Sequence, residues 1–240
     1  MNRPKAVSKK VLKMRLPGGT AGRLSSFYRK LRAANRTLYN RVRYGPSAPR
    51  YGEYIWVNPQ DCKRHLSSVY LRKKFNLTLD EARARVIEED WPLEQALPIR
   101  ELPLVKNCIE HWVSGTPWEK TGEFERMQEL ITTSKRGVSH GCRDFGDIVA
   151  RYENLDRVFE QVRREGHFRV SNEVGSSHRW GADEMLVHVG PGGELFKGGE
   201  GMHRFAMALI LDIPFPAHFS CVHVSAIPDL DRLRKARGAR

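Results

Sequence analysis

"ELFKGGEGMHRFAMALILDIPFPAHFSCVHV", Glu194 to Val224, decides the fold. A short extended run from Glu194 to Lys197 passes through Gly198, Gly199 and Gly201 into the apolar stretch Met202 to Leu211, which reads as a buried helix. After that helix, Ala217 to Val224 reads as a strand. Upstream, "MLVHVGPGG" adds an alternating strand, Met185 to Val189, and a Gly/Pro turn, so the two short strands form a hairpin. The order β-β-α-β predicts an α/β (α+β) fold with a small mixed sheet covered by helices from the middle of the chain.

The glycines raise a chemical question of their own. A helix leaves its first N–H groups unpaired and concentrates partial positive charge there, so a glycine-rich entry lets an anion reach bare backbone. Gly198, Gly199 and Gly201 fit that use, with His203 and Arg204 as side-chain donors and Glu200 as the adjacent acid. Glu194 and Lys197 flank the cradle on the hairpin strand as second-tier candidates, and a solvated strand face accounts for them equally well. The pattern is neither the P-loop nor the dinucleotide fingerprint, and a tight turn uses the same glycines.

Glu200-Gly201-Met202-His203-Arg204, Ala206, Ala208 and Ile213-Pro214 resemble the core of the ParB/sulfiredoxin-like superfamily, at about residues 183–227. "YGPSAPRYGEYIWVNPQD", "WVSGTPWEKTGEF", "HGCRD" and "REGHF" extend the likeness to uncharacterised proteins that end in a ParB-like module. The resemblance implies a nucleotide, ATP or CTP with Mg²⁺, whose phosphate sits at the helix entered through G-x-H-R. Gly201 would admit the phosphate, His203 and Arg204 would donate to its oxygens, and Glu200 would stand near the metal or the attacking group. It implies a kinase or nucleotide hydrolase working by phosphoryl transfer, for which preorganised donors are the protein's main contribution. Met202 replaces the cysteine of the sulfiredoxins, so no thiolate is present for sulfinic acid reduction.

Charge divides the chain. Its formal net charge is +13, yet residues 1–50 hold 14 Lys or Arg and no acid, so the remainder is nearly neutral. Leu24, Phe27, Tyr28, Leu31, Leu38, Tyr39 and Val42 fall at helical spacing among basic residues that include Arg29, Lys30, Arg32, Arg36, Arg41 and Arg43. This predicts a basic arm (1–50) carrying an amphipathic helix, ahead of one α/β domain (51–240). Two readings stand for the helix: an apolar stripe laid on the domain with solvated arginines, or direct binding of DNA, RNA or an anionic membrane face. The alternative function is therefore a nucleic-acid-binding protein or nuclease, and a third is a non-catalytic structural or regulatory protein.

Cys62, Cys108, Cys142 and Cys221 lie far apart, which suggests neither disulfides nor a zinc site and fits a reducing, cytoplasmic setting. No run is apolar enough for a transmembrane segment, although the acid-free start also resembles an organelle transit peptide.

The middle of the chain predicts a strand at Tyr54 to Val57 and a helix from Leu79 to about Ile87, opened by the capping box Thr78/Glu81. "DWPLEQALPIRELP" reads as a loop, and "TPWEK", with Thr116 as N-cap, Pro117 and Glu119, predicts a helix running to Ser134. Phe145, Ile148, Val149, Tyr152, Leu155, Phe159 and Val162 mark a long helix that Gly166 ends. Trp112, Trp118 and Phe124 read as core. His140, Cys142 and Asp144 read as a structural turn ahead of that helix, and His178, His188, His218 and His223 are scattered about the C-terminal module.

Overall fold

The computed structural model describes residues 18–169 and 185–235, with side chains from residue 31 on. Residues 1–17, His178 and the side chains of Arg29 and Lys30 lie outside the described residues. In chain order the elements are α1 (Gly18–Tyr44), β1 (Tyr54–Val57), β2 (Arg64–His65), α2 (Ser68–Lys74), α3 (Leu79–Ala82), β3 (Arg85–Ile87), β4 (Leu97–Pro98) and α4 (Pro103–Trp112). They continue with α5 (Glu123–Thr133), α6 (Phe145–Glu165), β5 (Met185–Val189), β6 (Leu195–Lys197), α7 (Met202–Leu211), β7 (Phe215–His223) and α8 (Leu230–Lys235).

The fold is α+β, a mixed sheet with helices around it. β7 is its axis because Phe215 to Val222 is buried throughout, as a strand covered on both faces must be. β5 lies parallel to one side of β7, while β1 (antiparallel) and β3 (parallel) share the other side at successive registers. From β5 the sheet continues through β6, β2 and β4. Helix α7 packs Phe205, Met207 and Ala208 on one face with Val105 of α4 and Phe159 and Val162 of α6. Leu66, Leu71, Ala82, Ile87 and Trp91 cover Phe196 and Cys221 on the other.

One irregularity places a functional side chain. Val187 stands opposite Phe219 but Val189 opposite Val222, so β7 carries one residue more than β5 over this interval. The bulge turns Cys221 into the second core cluster while Phe219 and Val222 stay in the first. It also directs the Cys221 N–H onto His188 Nδ1 at 3.3 Å.

Two predicted helices are corrected. The Thr78/Glu81 capping box forms, but α3 ends at Ala82. Ala84, at φ 51°, turns the chain so that its N–H bonds to Phe219 O and Arg85–Ile87 becomes β3. Val86 and Ile87 are buried there, and pairing along β7 overrides the helical start. The segment after Pro117 is likewise not one helix. Trp118–Lys120 forms a single 3₁₀ turn without a side-chain cap from Thr116, Gly122 stands at φ 82°, and α5 begins at Glu123. "DWPLEQALPIRELP", read as loop, contains β4, and its last proline starts α4.

Helix α1 meets the body through polar groups, and not through the apolar stripe as one of its two readings had it. Buried Asn40 donates to Pro49 O and Ala84 O, both at 2.8 Å, and Thr37 Oγ1 accepts from Tyr51 N. Arg32 pairs with Asp80 and Arg43 with Glu88. Arg36 is half-buried beside Arg85, and this burial lowers its pKa. Leu31, Leu38, Tyr39 and Val42 face outward.

Candidate functional site

The entry to α7 is a four-residue loop, Gly198 to Gly201, whose shape is held by Ser68 at the start of α2. Ser68 Oγ accepts the Gly199 N–H at 3.1 Å, donates to Glu200 Oε2 at 2.7 Å and lies 3.1 Å from His188 Nε2. Because Cys221 donates to Nδ1, the His188 proton sits on Nε2 and is given to Ser68. His188 is thus a donor to this serine, and Glu200 is the group that receives the serine proton. Burial drives the His188 pKa down to about 3, with Lys197 adding repulsion, so the ring stays neutral.

Gly198 is required by proximity. A Cβ there would stand 2.6 Å from Ser68 Oγ and 3.2 Å from both His188 Nε2 and Leu186 O. Gly201 is required by backbone, at φ 70° as the N-cap of α7. Gly199 meets neither constraint, since a Cβ on it would touch nothing within 4 Å.

Lys197 is fully buried, so the solvated strand face considered for it is not what forms. Its Nζ donates to Gly198 O at 2.8 Å and to Glu200 O, stapling the loop from beneath. Burial pushes its pKa down to about 8 against the pull of Glu200. His65 Nδ1 lies 2.8 Å from Lys197 O. Glu194 does not join the loop: it forms a two-pronged ion pair with Arg64 of β2, at 2.6 and 3.0 Å, on the sheet surface.

Glu200, the one acid between Gly198 and Arg204, is drawn towards Ser68 and lies 4.0 Å from Arg72. The first turn of α7 is left with neither a side-chain cap nor an acid. Arg204 stands in that turn, over the Phe168 ring at 5.7 Å, with Nη2 3.5 Å from Arg169 O. Uncapped N–H groups, a helix dipole and a guanidinium suit an anion with several oxygens.

His203 goes elsewhere, and this corrects its expected placement as a phosphate donor. Its ring lies against Tyr152, with Nε2 4.0 Å from Glu123 Oε2 and without a hydrogen-bond partner among the described residues. Burial lowers its pKa to about 3, so it too is neutral. Glu123 is fully buried and accepts from Tyr152 Oη (2.6 Å), Asn107 Nδ2 (3.0 Å) and Arg126. Burial alone would raise its pKa, but Arg126 and Tyr152 outweigh that and hold it below the usual carboxylate range.

Among the described residues no group of three or more His, Cys, Asp or Glu side chains could hold a metal. Glu200 offers one carboxylate, which suits Mg²⁺ carried on a nucleotide's phosphates and not an all-protein cage. His140 and Cys142 belong to the turn before α6, and Asp144 caps that helix by accepting from Asp147 N. His218 contacts Glu53 O and His223 caps the turn that follows β7. Ser68, Arg72 and Glu123 are additions that no local pattern announces. Ser68 lies 132 positions before Glu200 and forms no motif with it.

Comparison with models of protein families, with curated proteins and with solved structures finds no match to this chain.

Two measurements check this geometry. Gly198→Ala should lower unfolding stability by about 1–3 kcal/mol in urea titrations, while Gly199→Ala should change it by less than about 0.5 kcal/mol. Equal losses would contradict the packing against Ser68. The second concerns pH. His188 and His203 have folded pKa values near 3, against about 6.5 unfolded. Above pH 6.5 both states are neutral there and the full stability is present. Below it the unfolded chain takes up protons that the folded chain refuses, so stability falls by up to about 1.4 kcal/mol per pH unit per histidine. Urea midpoints between pH 7 and 5 should fall in the parent and fall less steeply in His188→Gln; identical slopes would mean that His188 charges inside the fold.

Proposed function

We propose that this protein binds the phosphate groups of a nucleotide, ATP or CTP with Mg²⁺, at the entrance of α7. The reading rests on one observation: the first turn of α7 has no side-chain cap and no acid and carries Arg204, while the preceding Glu200 is bonded to Ser68. The likeness of Glu200 to Ile213-Pro214 to the ParB/sulfiredoxin-like core supports the same reading.

In this proposal Gly201 admits the phosphate to the backbone and Arg204 donates to its oxygens. Glu200 meets the phosphate-borne Mg²⁺, and Ser68 and Lys197 keep the loop in place. His203 does not touch the ligand; it fixes the first turn against Tyr152 and Glu123. In a phosphoryl transfer Glu200 would be the base: it would take the proton of the acceptor hydroxyl as that oxygen bonds to the terminal phosphorus and the nucleoside diphosphate leaves.

A thermal-shift series with pyrophosphate, ATP and CTP, each with and without Mg²⁺, tests the reading. The parent protein should gain several degrees at millimolar ligand through preferential binding to the folded state. Arg204→Ala should lose most of that gain while melting near the parent temperature without ligand. An absent shift in the parent, or an equal shift in Arg204→Ala, would refute the assignment.

A further inference from the structure

We propose that α1 is an interfacial helix that docks the protein on an anionic lipid surface. Exposure carries the inference: Leu31 is 47% exposed, Leu38 62%, Tyr39 52% and Val42 79%. Leu31, Leu38 and Val42 recur at helical spacing, so they form one line along the helix, and the body contacts of Thr37 and Asn40 lie on the opposite side. An apolar line of this kind turned away from the core has no folding purpose.

Its flanks identify what it meets. At 100° per residue Arg41 falls to one side of the line and Arg32 and Arg43, paired with Asp80 and Glu88, to the other, and residues 1–50 hold 14 Lys or Arg and no acid. An exposed apolar line on an acid-free, strongly basic segment suits a helix lying in a headgroup layer, where aliphatic side chains enter the acyl boundary and long cations such as Arg41 reach lipid phosphates. Tyr39, apolar with a polar tip, suits the same layer. A nucleic acid would select the reverse order, since cations and not leucines must lead towards a phosphate backbone. A second copy fits poorly, because pairing would bring together two N-terminal segments that each hold 14 Lys or Arg and no acid.

No helix among the described residues is long and apolar enough to cross a membrane, so α1 lies on the surface and does not span it. Asn40, Arg32 and Arg43 clamp the helix to the body, so the whole domain is carried to the lipid.

Sedimentation of the full chain with vesicles tests the proposal. The protein should pellet with vesicles of equal parts phosphatidylglycerol and phosphatidylcholine, and far less with phosphatidylcholine alone or at high salt. The double variant Leu38→Gln/Val42→Gln keeps every charge and, with both positions exposed, should melt as the parent does. Its vesicle affinity should fall by at least about tenfold. Unchanged pelleting of this variant would overturn the proposal. So would binding to duplex DNA or RNA in place of vesicles, a dimer abolished by the double substitution, or no binding to anionic vesicles at all.

Discussion

One hydroxyl ties the loop, the helix entry and the sheet together. Ser68 Oγ receives a proton from His188 and an N–H from Gly199 and gives its own proton to Glu200. All of its hydrogen-bonding capacity is used, in a place where an unmet polar group would cost about 1–3 kcal/mol. The contact works only because residue 198 has no Cβ and because the β7 bulge supplies His188 Nδ1 with a donor, which fixes the tautomer. Turn chemistry, strand register and side-chain protonation therefore depend on one another.

The electrostatic outcome follows. Glu200 would oppose an anion if it faced the first turn of α7. It is held by Ser68 near Arg72, outside that turn, which carries Arg204 and no acid. Beneath the loop, Lys197 binds the carbonyls of residues 198 and 200 and so uses their negative ends. On the far side His203 is locked, neutral, between Tyr152 and Glu123. Burying two uncharged histidines makes full stability depend on a pH above about 6.5.

The sequence speaks clearly where a pattern is local. α6 begins at its Asp144 cap and ends at Gly166, and Met185 to Val189, Met202 to Leu211 and the strand after Pro214 form close to where periodicity and glycines put them. Contacts distant in sequence decide the rest. Leu79 to Ile87 starts as the capping box dictates, then yields to pairing with β7, because Val86 and Ile87 gain more from the sheet than from another helical turn. β2 and β4, two residues each, carry no periodicity. α1 shows the limit most sharply: hydrophobic spacing finds the stripe but cannot tell which way it faces, and buried Asn40 turns the polar side inward. In the site, Gly198, Gly201 and Arg204 are readable from helix-entry chemistry alone. Ser68 and Glu123 are not, since each meets its partner only after the chain has folded.

The proposed anion site is formed by the backbone N–H groups entering α7. Amide chemical shifts of the isotope-labelled protein, followed while pyrophosphate is added, test it most directly. Saturable shifts concentrated on Gly199, Gly201, Met202, His203 and Arg204 are the predicted result. Shifts confined to α1, or none at the α7 entry at millimolar pyrophosphate, would contradict it.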